Sequence, residues 1–376
     1  SDVCASDLCS CFDSQAGMRK VLKNREGAPD RDHGGRAAGL TMTLMTAEQT
    51  AKLNPPQASN QGNAGLHGAF WTKIMLFWMR LLPAWLCLAL ARPAAFLVYL
   101  LAGPQRRAVM ANVGALQPGF GQLRLWWAGY QVFLQFALAY LDRLWHMHFR
   151  QEVAWDIPDK PHFDEMRGHP GGVLIFTIHS GNYDVGASLF AEKFGRTLHM
   201  VRVPEQTAEL QKLREAELRG VEREHPHLRV HYNEADSHLG LELCRALMEG
   251  EAVAVQGDRV VTGVSPVEMR HGGLCFLIPR GPLVLAEISR APAWPIFLQR
   301  LSRMRYRILV GKAFSEAGEK VRADEVGRRW LPVLHAHVRQ HWDQWFVFES
   351  LVARHPGKAV PDLEQPGKSP CTKSSS

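Results

Sequence analysis

Gly171-Gly-Val-Leu-Ile-Phe-Thr-Ile-His-Ser-Gly-Asn-Tyr-Asp-Val185 decides the fold. An apolar run ends at Ile178, and a histidine follows at once. Ser180, Gly181 and Asn182 read as a tight turn, and the next helix starts around Asn182 and runs to Phe194. A short apolar run closed by turn residues and followed by a helical pattern is a strand–turn–helix unit. The same alternation continues downstream. Strands are expected at 172–178, 198–203, 228–231, 252–256, 294–298 and 306–310. Helices are expected at 182–194, 205–222, 236–249, 282–289 and 323–340. Alternation of this kind predicts an α/β domain, a mixed but largely parallel sheet flanked by helices.

Upstream the character differs. Apolar runs at 74–79, 81–91 and 94–102 are interrupted by Arg80, Pro83, Arg92 and Pro93. None reaches the ~18 uninterrupted apolar residues of a spanning helix. Helices lying in a membrane interface fit better, because Trp71-Thr72-Lys73 and Trp78-Met79-Arg80 set tryptophan beside cations next to apolar runs. A helical core subdomain would carry the same periodicity. A further helix is expected over 123–149. The chain thus divides into a breaker-rich, disordered extension (1–66), a hydrophobic helical membrane-anchoring region (67–150), the α/β domain (151–350) and a flexible tail (351–376).

Composition bounds the function. A hydrophobic fraction of 46% supports a sizeable core, and a net charge of +7 suits an anionic surface or an acidic partner. The seven cysteines show no paired zinc spacing and imply reduced thiols and a cytoplasmic setting. No phosphate loop, dinucleotide fingerprint or H-E-x-x-H motif is present. No metal or cofactor is expected. The basic residues are dispersed and form no nucleic-acid-binding module.

The chemistry centres on His179 and Asp184. A histidine at the carboxyl end of a strand lies where open α/β sheets bind ligands. Its ordinary pKa of ~6.5 suits a general base, and a nearby carboxylate can fix its tautomer. The spacing alone says little: chance supplies about two His-x-x-x-x-Asp/Glu pairs in such a chain. The second pair is His231/Asp236, read as a strand-to-helix connection with Asp236 as helix cap.

Four blocks resemble one family. His179-Ser-Gly-Asn-Tyr-Asp184 is similar to the H-x-x-x-x-D/E motif of the lysophospholipid acyltransferase superfamily. Ala252–Arg259 resembles its strand ending in Gly-Asp-Arg, and Phe276–Ala286 with Ala291–Phe297 resembles its F-P-x-G-P…A-P-x-x-P block. Gln344-Trp-Phe-Val-Phe348 is similar to a segment of the bacterial branch that contains the late lipid A (lauroyl/myristoyl) acyltransferases. Arg280 departs from the pattern, and the first ~66 residues lie outside it. The resemblance implies a membrane lipid acceptor, acyl carrier protein or acyl-coenzyme A as donor, and the cytoplasmic face of the bacterial inner membrane. It implies His179 as base and Asp184 as its orienting group. Arg259 would hold an anionic group. Asp258, Gly257, Asn182 and Gly281 are further candidates to bind substrate or shape its pocket. Backbone N–H groups after His179 would meet the oxyanion. Two alternatives remain: a lipid-directed serine hydrolase using Ser180, which lacks the G-x-S-x-G elbow, and a non-catalytic membrane-surface binding protein.

Overall fold

The computed structural model describes residues 69–202, 208–233, 238–260 and 264–354. The extension expected over 1–66, Asp236, the start of the helix expected at Glu205, and the tail beyond Arg354 lie outside these.

Four helices come first: α1 (Ala69–Leu81), α2 (Ala84–Leu101), α3 (Gly103–Leu116) and α4 (Gln122–Phe149). Pro83 precedes α2 in extended conformation at φ −64°, where a proline sits comfortably before a helix. The interruption expected at Arg92-Pro93 does not occur, and α2 runs through it. Proline there removes the donor to the Ala89 carbonyl, and Arg92 Nη1 donates to the neighbouring Leu88 carbonyl at 3.2 Å. The result is an 18-residue helix that is long and apolar enough to cross a membrane by length and composition. Tyr99, fully buried, donates its hydroxyl to the Trp126 carbonyl at 2.6 Å and fastens α2 to α4.

The α/β part then follows: β1 (Ala154–Asp156), α5 (Lys160–Gly168), β2 (Val173–Thr177), α6 (Tyr183–Phe194), β3 (Leu198–Arg202), α7 (Ala208–Glu224), β4 (Leu228–Tyr232), α8 (Leu239–Met248), β5 (Ala252–Gln256), β6 (Pro266–His271), β7 (Leu274–Pro279), α9 (Arg280–Ser289), β8 (Ala293–Ser302), β9 (Arg305–Val310), α10 (Ala323–Gln340) and β10 (Val352–Arg354). The main sheet has the order β1-β9-β8-β2-β5-β3-β4. Every neighbouring pair is parallel except β8–β9. The central strand β2 is buried on both faces, which is why it reads as an unbroken apolar run. One face packs on a cluster around Trp330 and Leu334 of α10, and the other on Phe163, Phe190 and Phe194 of α5 and α6.

A second sheet, β10-β7-β6, is antiparallel. Neither β6 nor β7 was marked as a strand in the sequence reading. The signal was Gly272-Gly273, both at positive φ (57° and 73°), a pairing suited to a two-residue hairpin turn. The strand Val352–Arg354 pairs antiparallel with β7.

Helices and sheet are joined by a buried carboxylate. Asp142 of α4 accepts from Arg300 Nε at 2.8 Å, from the Tyr306 hydroxyl at 2.9 Å and from the Met304 amide at 3.3 Å. Burial first, and then the Asp142 charge, pushes the Tyr306 phenol well above its ordinary pKa, so it stays a donor.

Two histidines of α10 make the fold acid-sensitive. Burial, with help from His271 and Arg339, pulls His335 down to about 4; burial, then His341, pulls His337 down to about 3. The folded state therefore keeps them neutral. Their contribution is complete above the ordinary imidazole pKa of ~6.5 and is lost as pH falls from there toward 4 and 3. The thermal midpoint is expected to drop across that window, and His337→Leu to flatten the drop. A midpoint unchanged between pH 6.5 and 4 would count against this account.

Candidate active site

β2 and β5 are parallel neighbours with Thr177 opposite Gln256. The ladder continues one step, Gly257 N–H donating to the Thr177 carbonyl at 2.9 Å. Two residues beyond each strand, the same register sets His179 opposite Asp258. The Asp258 carboxylate accepts the His179 backbone N–H at 3.0 Å on Oδ2, and its Oδ1 lies 2.9 Å from His179 Nδ1. The Trp345 indole N–H donates to Oδ2 at 2.8 Å. Asp258 is 1% exposed. Burial alone would raise its pKa, but the His179 charge and the hydrogen bonds from His179 and Trp345 outweigh burial and hold the carboxyl below its ordinary value. An ionised carboxylate only accepts, so Nδ1 carries the proton, and in the neutral ring the lone pair sits on Nε2. The ring is not sealed, its side chain being 12% exposed.

The turn after His179 is built for close approach. Gly181 has φ +59°, and a Cβ there would sit 2.5 Å from the Leu298 carbonyl oxygen. Gly181→Ala would add left-handed strain to that clash and is expected to cost about 2–3 kcal/mol. It should also displace His179; urea unfolding and activity measured together would test this. A variant as stable and active as wild type would refute it. Ser180 is buried and its hydroxyl donates to the Leu298 carbonyl at 3.1 Å, so it is spent on the sheet and does not face the ring as a nucleophile. Its amide is also used, donating to Ile178 at 2.8 Å. The Ser180 amide is therefore not among the oxyanion donors expected after His179.

The other expected residues fall into distinct places. Asp184 lies in the first turn of α6, and its side chain is outside the described residues. Asp258, expected to meet substrate, turns inward onto His179. Asn182, likewise expected in the pocket, is buried: its Oδ1 accepts from Val185 N–H as helix cap, and its Nδ2 donates to the Ala139 carbonyl of α4 at 3.1 Å. Gly257 is a packing position, since a Cβ would meet Trp330 Nε1 at 2.9 Å and Phe176 Cδ1 at 3.0 Å. Arg259 is ion-paired with Glu349 through one guanidinium nitrogen. Gly281 opens α9 and faces open space. Among the described residues no group of three or more His, Cys, Asp or Glu is placed to hold a metal. The functional contact that sequence reasoning missed is Trp345, quoted in a motif without a role.

The chain matches no protein-family model and no curated protein. Among solved structures it is similar to the 1-acyl-sn-glycerophosphate (LPA) acyltransferase PlsC from Thermotoga maritima. The identity is 12%, the match covers 68% of this chain and 95% of that one, and the TM-score is 0.32.

Proposed function

We infer that this chain transfers a fatty acyl group from a carrier thioester, acyl carrier protein or coenzyme A, to a hydroxyl or amine of a membrane lipid. The observation that carries this reading is the His179–Asp258 pair at the carboxyl ends of two central strands, the ring meeting the carboxylate through Nδ1. His179 takes the acceptor's proton at Nε2 as the acceptor oxygen or nitrogen attacks the thioester carbonyl. The tetrahedral intermediate collapses, the C–S bond breaks, and the imidazolium returns the proton to the departing thiolate. No enzyme nucleophile is required, in keeping with the spent Ser180 hydroxyl. Asp258 orients the ring. Asp184, which the sequence resemblance assigns to that role, remains a second candidate for it.

The helical region supports a membrane acceptor. Phe77, Trp78, Leu81, Trp85 (69% exposed), Leu97 and Leu101 present apolar surface on α1 and α2, and Leu123 and Trp127 do so on α4. From residue 69 to 141 the chain has six cations, Lys73, Arg80, Arg92, Arg106, Arg107 and Arg124, and no acidic residue. Apolar surface with a purely cationic fringe suits an interface of anionic lipid, in this reading the cytoplasmic face of a bacterial inner membrane. The sequence resemblance makes a lipid A precursor the first acceptor to try.

Lipid mass spectrometry of cells making wild-type or His179→Ala protein tests the reading. A lipid that gains one acyl mass with wild type, and not with the variant, would name acceptor and chain together. Identical lipid profiles would reject the reading.

A further inference from the structure

The segment after α10, residues 342–352, crosses the site and is fastened on both sides. Gln344 grips the Arg300 backbone twice, Oε1 accepting from its N–H at 2.7 Å and Nε2 donating to its carbonyl at 2.9 Å. Phe346 N–H donates to the His179 carbonyl at 2.8 Å, beside an antiparallel bridge between Ser180 and Trp345. Farther on, Asn112 of α3 donates to the Glu349 carbonyl at 2.7 Å and accepts from Leu351 N–H at 3.0 Å and Val352 N–H at 3.2 Å. The Phe346 and Phe348 rings pack edge-on against Phe136 of α4. The Trp345 indole is therefore held by the sheet and by the helical region together.

Its one polar atom is spent on an unusual partner. A buried indole N–H ordinarily finds some acceptor. Trp330 does so with a backbone carbonyl, that of Gly257, at 2.9 Å. Trp345 instead bonds the carboxylate that carries the His179 ring. Oδ1 of Asp258 has the ring alone, while Oδ2 holds the His179 amide and the indole. With the indole bond removed, rotation of the carboxylate is resisted only by His179 itself, the group it has to orient.

We propose that Trp345 is a positioning residue of the acyl-transfer site, locking the Asp258 carboxylate in the orientation from which it holds His179; this rests on the reading of the site given above. The indole N–H points its positive end at the pair. It therefore favours neutral imidazole with carboxylate, net charge −1, over imidazolium with carboxylate, net charge 0. Its loss should therefore alter the protonation of the ring, both through that field and through the freed carboxylate.

Trp345→Phe keeps an aromatic ring and deletes the donor. The assay is transfer from palmitoyl–acyl carrier protein or palmitoyl-coenzyme A to dispersed bacterial lipid extract. The expected result is a kcat about 10- to 100-fold lower, with KM for the donor within about twofold. The acid limb of the pH–rate profile should shift. The NMR titration of His179, identified as the histidine signal missing from His179→Ala, should move the same way. Added to Asp258→Ala, the Trp345 substitution should cost no further kcat. An unchanged kcat, an unmoved His179 titration, or losses that multiply with Asp258→Ala would each overturn the proposal. If the Phe variant does not fold, replacing Trp345 with 3-benzothienylalanine, which keeps the bicyclic shape and puts sulfur in place of the indole N–H, offers the same readouts. Full activity of His179→Ala would sink the acyl-transfer reading itself, while the His179 titration would still judge the role of Trp345.

Discussion

Asp258→Asn should slow acyl transfer by about a thousandfold while the chain still folds. Three donors converge on this side chain: the His179 amide, the His179 ring and the Trp345 indole. A carboxylate accepts all three. An asparagine has one oxygen and an NH2 group, so at least one donor meets another donor. If the NH2 faces the ring, Nδ1 must become the acceptor and the proton moves to Nε2. The base is then blocked by its own tautomer, even with the ring in place. The measurement is kcat/KM for the acyl donor, with Asp184→Asn assayed beside it. A loss under tenfold would reject the orienting role of Asp258. A larger loss from Asp184→Asn would hand that role to Asp184. The carboxylate also contributes to stability: its lowered pKa means the contribution is present above the ordinary value of ~3.9 and lost as pH falls through the folded value.

Asp142→Ala is expected to produce the largest loss of stability, about 3–5 kcal/mol. The Arg300 side chain is 8% exposed and that of Asp142 1%. Without the carboxylate, a buried guanidinium, a buried phenol and the Met304 amide lose their shared acceptor. A substitution that removes an acceptor shared by three buried donors costs far more than one at an exposed ion pair such as Arg245–Glu249. Urea unfolding followed by circular dichroism would measure it, and a change below about 1 kcal/mol would show that the node carries no such load. Asp142→Ala should also lower activity, because Arg300 grips Gln344, the neighbour of Trp345.

Much of the fold was legible in the sequence. Strands β2, β3, β4, β5, β8 and β9 were all expected within a few residues: β2 is an unbroken apolar run because it is buried on both faces, and β9 alternates because one face is less buried. The largely parallel sheet followed from the alternation with helices. The β6–β7 hairpin was missed, although Gly272-Gly273 stood between two runs of strand character. The helix through Pro93 was also missed, since a single proline removes one backbone donor and the apolar helix continues past it.

By itself the sequence determined that a histidine would stand at the end of a central strand, ahead of a tight turn and a helix. That is a local property, carried by a dozen consecutive residues. Which carboxylate serves the histidine was decided only in three dimensions. Asp258 is 79 residues from His179 and Trp345 is 87 residues from Asp258. They meet because β2 and β5 pair in a parallel register and because the segment after α10 folds back across the strand ends. Spacing along a chain reports neighbours within one turn of helix or strand; register and crossover bring the rest together, and they arise from the packing of the whole sheet.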